Sequence, residues 1–377
     1  MPYSAVINTR SPYYTVRPVS AAATVEMRLF IWDGHVSNDF PTNNPAYILS
    51  KEVEQNGKAV FEISELIRDY ILTEYLTEST DAVFVQWTTT INNATPSASP
   101  VHIAIDGYGY FEEGINPRNT DNPTTLDGSY TPQVLQDARK VYFIPGEDIR
   151  IPVWGDAGSE ANIGIGSAYW DVVTSLWEDY NVLWNTNIQI TPGDNSEDKI
   201  QYIVISGTDL LGEITNITIT STDGLQVDNI DLIRICEPKF TPIRISFYNK
   251  YGAMEDIWAS KKSSKSLKAS SSSYKRSILK EGISQSVTYS TTQHTDRRFD
   301  VAARESITVN TDLYTEDINE AISQLLMSEQ VWLTEEGQIL PVILKTDNVE
   351  KKTSVKDKMV QYTLDFEYAF DKIQSIR

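Results

Sequence analysis

The chain has 377 residues, a formal charge of −20 at pH 7 and 40% hydrophobic residues, enough for two or three domains, because single cores stop growing near roughly 250 residues. Its 20 Tyr and 8 Trp argue for folded β structure and against disorder, since amphipathic rings suit a pleated, half-buried surface. The acidity opposes sequence-independent attraction to nucleic acid or anionic membranes, and a single cysteine, Cys236, excludes an intrachain disulfide.

Met1 to Tyr14 contains no apolar run that could serve as a signal-peptide core, and nowhere do about eighteen apolar residues stand together. The expected product is a soluble chain made in the cytoplasm and folded as three domains. Residues 1–138 open with short apolar runs, Val25 to Trp32, Tyr47 to Leu49 and Ala59 to Ile63, broken by Asp33-Gly34 and Asn56-Gly57. Asn-Gly between apolar runs predicts a tight hairpin, because both residues tolerate positive φ. A helix is predicted over Glu65 to Leu76, with Ser64 as N-cap and Ile67, Tyr70, Ile71 and Tyr75 on one side. Val83 to Ile91 and Val101 to Tyr110 return to strand. Glu112 to Pro132, rich in Asn, Pro, Thr, Asp and Gly, reads as a surface loop or linker.

Residues 139–238 repeat the style without a sequence repeat. Strands are expected at Val141 to Ile144, Ile149 to Trp154, Tyr169 to Trp177, Ile200 to Ile205, Ile214 to Ile219 and Leu225 to Ile235, which together suggest a β-sandwich. Gly155, Gly158, Gly164 and Gly166 do not join a strand to a helix N-terminus, so they read as a flexible loop and not as a phosphate cradle. Cys236, beside Ile233 and Ile235, reads as a small buried hydrophobe.

Residues 239–377 are the most regular. Ile243, Ile245 and Phe247 alternate with polar neighbours before the turn Asn249-Lys250-Tyr251-Gly252, and alternation resumes at Ile283 to Tyr289 and Phe299 to Val309. Thr315 caps a predicted helix with Ile318, Ala321, Ile322, Leu325 and Leu326 on one face. After Val331 to Leu333 and Leu340 to Leu344, Val360, Tyr362, Leu364, Phe366, Tyr368 and Phe370 form the apolar side of one closing strand. Eleven residues would span about 37 Å at roughly 3.4 Å each. The whole is expected to be mainly β: tandem β-sandwich domains, the last with a flanking helix.

Between these strands lies a segment of opposite character. Lys261, Lys262, Lys265, Lys268, Lys275, Arg276 and Lys280 contribute +7 with no acid among them, which leaves −27 of the total −20 on the rest. Residues Ser260 to Ser273 hold eight serines and cannot build a core. Three readings stay open for this hairpin over 260–280: a solvated tip, an arm that meets the acidic surface of another copy, or a nucleic-acid contact with Tyr274 as a stacking ring.

No constellation names a reaction. His35, His102 and His294 are scattered, so no metal site or cofactor is expected, and no nucleophile elbow accompanies any serine. Asp106, Glu178 and Asp179 are the carboxylates a glycoside hydrolase could use. Trp170, Trp177 and Trp184 recur every seven residues, as core positions or as a sugar-stacking platform.

The stretch Thr241-Pro-Ile-Arg-Ile-Ser-Phe-Tyr-Asn-Lys-Tyr-Gly-Ala-Met-Glu-Asp-Ile-Trp258 resembles virion structural proteins of tailed bacteriophages, particularly those infecting Bacteroidota. The likeness continues through Ser328-Glu-Gln-Val-Trp-Leu333 to the closing strand, and Phe61-Glu-Ile-Ser-Glu-Leu-Ile-Arg-Asp-Tyr70 is more loosely similar to the front halves of such proteins. The resemblance implies a non-enzymatic tail or baseplate component of tail-tube or distal-tail style, located in the virion. It implies a homo-oligomeric ring, hexameric or a multiple of six, among other virion tail proteins, with front domains free for a host-surface glycan. A carbohydrate-binding or adhesive β-sandwich protein is the alternative, and a glycoside hydrolase the third reading.

Overall fold

The computed structural model describes residues 6–19, 23–33, 39–53, 57–75, 82–92, 94–113, 133–154, 159–165, 188–190, 200–205, 214–220, 226–235, 238–281, 286–351 and 359–373. These residues are mainly β, arranged in several sheets that cover apolar cores. Cys236, Trp170, Trp177, Trp184, Glu178, Asp179, His35, the strand at Tyr169 to Trp177 and most of the Glu112 to Pro132 linker lie outside the described residues.

The first sheet runs in the order Val6–Asn8, His102–Ile105, Ala82–Ile91, Thr24–Trp32, Tyr47–Glu52, with Ser97–Ala98 beside Ala82–Ile91. Its first pair is parallel. A separate ladder joins Tyr14–Pro18 to Lys58–Glu62, and Met27, Leu29, Phe61, Ile63 and Ile67 are buried in one shared cluster. The strands flanking Asn56-Gly57 therefore belong to different ladders, which corrects the expected hairpin. Gly57 does take positive φ, at 73°, but it serves a crossing whose backbone is tied by the Val19 N–H to the Gly57 carbonyl at 2.8 Å.

The predicted first helix is cut to Ser64–Arg68, with Ile63 at the N-cap position. The Ser64 hydroxyl bonds Glu62 and so does not cap. Beyond Arg68 tertiary contacts outcompete the helix: the Tyr248 hydroxyl donates to the Glu74 carbonyl at 2.7 Å and Tyr75 accepts from Arg150 at 3.0 Å. The segment is a strap onto the other two units.

The middle unit has the expected sandwich character. One sheet orders Lys140–Phe143, Gln226–Arg234, Ile214–Thr220, Ser159–Ile165 and Ile188–Ile190; the other orders Gln201–Ile205, Ile149–Trp154 and Gln133–Val134. Val134, Phe143, Ile151, Ile203 and Leu232 form the core between them. Gly164 lies in a strand opposite Asn216, next to a register slip, not in a loop.

The last unit is built on a seven-stranded sheet: Met254–Ala259, Ile243–Tyr248, Val331–Glu335, Gln338–Leu344, Thr363–Tyr368, Asp296–Asn310, Ser264–Lys275. The helix Ile318–Met327 buries Ile318, Ala321, Ile322 and Leu325 as its spacing predicts, but the fifth expected residue, Leu326, is only half-buried and Gln324 is buried in addition; Asp317 rather than Thr315 stands at the N-cap position. Thr315 sits instead in a two-residue ladder with Met359. The closing strand is divided. Met359–Val360 pairs with Tyr314–Thr315, and Thr363–Tyr368 pairs in the main sheet. Thr311 makes the break: its N–H donates to the Tyr362 carbonyl and its hydroxyl accepts from the Tyr362 N–H, both at 2.9 Å. The alternation survives the change of partner, with Val360, Tyr362, Leu364, Phe366 and Tyr368 all buried, but Phe370 is 41% exposed.

Candidate assembly surface and the groove at its root

The basic segment is one leg of a long ribbon. Ser264–Lys275 pairs antiparallel with Asp296–Asn310, from Ser264 opposite Thr308 out to Lys275 opposite Asp296. A further short ladder, Lys280 to Thr288 and Glu281 to Val287, extends it. All twelve residues of Ser264–Lys275 are exposed, and among the described residues no strand pairs with the far edge of that strand. Ser306 to Asn310 of the second leg are backed by Thr363–Tyr368 and the Ala303 carbonyl accepts from the Lys372 N–H at 2.7 Å, so the paired legs stand free from Ala302 outward, a two-stranded projection of roughly 20 Å to Asp296. Of the expected strand at Ile283 to Tyr289, Val287–Thr288 forms, while residues 283–285 lie outside the described residues.

The slip between Ser270 and Ser272 puts Asp300 and Val301 opposite Ser271 alone, a bulge, and Asp300 takes φ of 50°. On the projection Tyr274, Leu279, Val287, Tyr289, Phe299 and Val301 are 42–67% exposed. Tyr274 and Phe299 rest edge to face at 5.7 Å.

The seven cations singled out in the sequence divide into two sets. Lys261 pairs with Asp312 at 2.9 Å and Lys265 with Glu335 at 2.7 Å, both back onto the unit's own body. Among the described residues Lys262, Lys268, Lys275 and Lys280 have no ion-pair partner. Lys268 lies opposite Arg304, whose guanidinium is held by Glu367 at 3.0 Å and Asp371 at 3.3 Å. Arg276 donates its backbone N–H to Thr295 at 2.9 Å.

At the other end of the sheet order from the ribbon, the turn after Ile243–Tyr248 is keyed between the other two units. Tyr251 and Ala253 share a buried cluster with Phe30, Trp32 and Phe84 of the first unit and with Leu135 and Ile200. Gly252, at φ 69°, lies against the Asp106 backbone, where a Cβ would meet atoms at 3.0 Å. Arg150 crosses from the middle unit to Asp256 with hydrogen bonds of 2.7 and 2.8 Å. Arg244 reaches Glu147 at 3.2 Å and lies over the Trp258 ring at 4.7 Å. Arg10 donates to the Met327 carbonyl at 2.8 Å, at the negative end of the second helix.

Asp106, one of the candidate carboxylates, belongs to this joint. It is buried and accepts from Arg68 at 3.0 Å, and burial raises its pKa against the pull of Arg68 and Arg10. His102 is buried against Trp87 and His294 lies near the ribbon's outer turn. Among the described residues no three His, Cys, Asp or Glu side chains converge as metal ligands, and no helix is long and apolar enough to cross a membrane.

At the foot of the ribbon the seven-stranded sheet curls far enough for Lys265, on its edge strand, to reach Glu335 four strands away. A groove of about 550 Å³ opens there, floored by Ile243, Leu340, Tyr368 and Phe370 and walled by Lys265, Glu305, Glu335, Glu336, Gln338 and Lys372. The Tyr368 hydroxyl donates to Glu335 at 2.9 Å, and burial with that carboxylate raises the phenol pKa to about 12. Burial works against the Lys265 ammonium, but its bonds to Glu335 and Tyr368 outweigh it and hold its pKa above the usual lysine range. Of these lining groups the sequence marked Lys265 as basic and Ile243, Leu340, Tyr368 and Phe370 as strand residues. The carboxylates come from separate segments and share no spacing.

No protein-family model matches the chain, and no curated protein matches it. A similar solved structure is a chain described as "Biofilm associated protein - BSP domain", at 10% identity and a TM-score of 0.17 over 80% of this chain and 63% of that one. This chain thus covers less than two thirds of that one, and so slight a likeness carries no argument about function.

Proposed function

We propose that the chain is a non-enzymatic structural subunit of a bacteriophage tail or baseplate, made in the host cytoplasm and built into the virion as a ring. One observation carries the assembly part of this reading. A twelve-residue strand, exposed along its whole length, leaves one edge of a seven-stranded sheet unpaired and continues into a projection bearing exposed aromatic and aliphatic side chains. Such an edge is a site for pairing with another chain, and an exposed apolar patch favours burial against a partner. The occupant proposed is a second copy. Free ribbon lysines face a strongly acidic remainder on the neighbour, and a rotation that repeats this head-to-tail contact closes a ring. The tail or baseplate location rests on the sequence resemblance alone.

The test is mass measurement of the full chain by light scattering at micromolar concentration, beside a variant in which 271–301 is replaced by a short Gly-Ser turn. A discrete oligomer that the shortened variant fails to form supports the reading. A monomeric full chain, or an oligomer indifferent to loss of the ribbon, overturns it.

A further inference from the structure

The groove at the foot of the ribbon is a second, separate opportunity for binding, and its chemistry is unlike that of the arm. Four of its five charged wall groups are already paired in place: Lys265 bonds Glu335 at 2.7 Å and Lys372 bonds Glu305 at 2.6 Å, which leaves the Glu336 carboxylate as the net charge of the groove. An anionic ligand would have to break one of these pairs, leaving a partner uncompensated, and would meet the Glu336 carboxylate as well. A ligand rich in hydroxyls would not, because each hydroxyl both donates and accepts and can use the lone pairs and N–H groups that the ion pairs leave over.

The floor supplies the complementary half. Phe370 stands at the groove with its ring 41% exposed, 5.6 Å from the Tyr368 ring and tilted 49° to it. An exposed ring of this kind offers a flat apolar surface to the C–H face of a sugar. The volume, about 550 Å³, falls inside the roughly 300–1,000 Å³ of ordinary small-ligand sites.

We propose that this groove binds a short neutral oligosaccharide, with Phe370 as the stacking platform and Glu335, Lys265, Glu305 and Lys372 as its hydroxyl partners. The proposal does not depend on ring assembly. A monomer that binds the sugar would overturn the assembly reading alone, and a ring that binds none would overturn this one alone.

The experiment is saturation-transfer NMR and calorimetric titration of the full chain with maltotriose, cellotriose and triacetylchitotriose, with a heparin tetrasaccharide as the anionic comparison. The expected result is binding of at least one neutral trisaccharide with a Kd of about 1 mM or tighter. Phe370→Ala should weaken it at least about tenfold without lowering the unfolding temperature, since that ring is largely outside the core. Lys268→Ala, on the ribbon, should leave it unchanged. Failure of all three neutral sugars overturns the proposal. So does binding of the heparin fragment alone, or neutral-sugar binding that survives both Phe370→Ala and Glu335→Gln.

Discussion

The Asn249 side-chain amide donates to the Glu255 carboxylate at 3.1 Å and to the Leu135 carbonyl at 2.7 Å, joining two units through two buried side chains. Glu255 has little else to compensate its charge, and burial raises its pKa from 4.5 to about 7, only partly offset by the Asn249 bond. Between these values the unfolded chain is ionised while the folded one still holds its proton, so stability falls as pH rises through this window. The loss is about 3 kcal/mol once both states are ionised. Glu255→Gln should remove that slope. Urea midpoints of the two proteins at about pH 5 and about pH 8 check it: the wild type loses stability between them relative to the variant.

His102 titrates with the opposite sign. It stacks on Trp87 at 4.6 Å and 7°, neither ring nitrogen has a hydrogen-bond partner among the described residues, and burial lowers its pKa from 6.5 to about 4. Its contribution is complete above the unfolded value and is lost as pH falls toward the folded one, again about 3 kcal/mol. His102→Phe should abolish this acid-dependent loss while keeping the stack. Urea unfolding curves across the window, followed by tryptophan emission, would show a flatter acid limb for the variant.

Arg150 and Asp256 are nearly buried, with side-chain exposures of 9% and 11%. Arg150→Ala strands the carboxylate, bonded to the Ser246 hydroxyl at 2.6 Å but without its cation, and the expected cost is about 3–5 kcal/mol. The double variant Arg150→Met, Asp256→Leu should recover most of it, because the penalty lies in the orphaned charge. Calorimetric unfolding of the three proteins measures this directly.

Leu325→Asp places a carboxylate at a position with no solvent exposure, on the face that the second helix presents to the sheet. The expected loss exceeds about 3 kcal/mol, from cavity and buried charge together. Leu326→Asp, half-buried one position along, should cost clearly less. Equal melting temperatures for the two variants would contradict the helix placement.

The period-2 runs were the legible part of the fold. Ile149–Trp154 and Ile243–Tyr248 form where alternation predicts them, because each has one face on a core. Met254–Ala259 escaped that pattern because Glu255-Asp256 and Ile257-Trp258 stand side by side and break the apolar–polar alternation. Ser264–Lys275 is a strand with no apolar period at all. Its partner Asp296–Asn310 imposes the conformation through the backbone, which side-chain chemistry does not announce. The first helix was overestimated for a related reason: its second half is claimed by Arg150 and Tyr248 from more than seventy residues away. The arm's cations stood out as a charge run, but the groove did not, since its carboxylates gather only when the sheet curls.

Asp296–Asn310 is one unbroken strand of fifteen residues that begins on the projection and ends inside the sheet. Antiparallel ladder bonds lie across the strand direction, so tension applied at the tip acts on them in shear, the whole row bearing the pull at once instead of unzipping singly. Past Asn310 the strain passes through the clasp between Thr311 and Tyr362 and from there into the packed interior. The ribbon is thus anchored as a tie-rod, able to carry a pull applied at its tip into the body of its own chain.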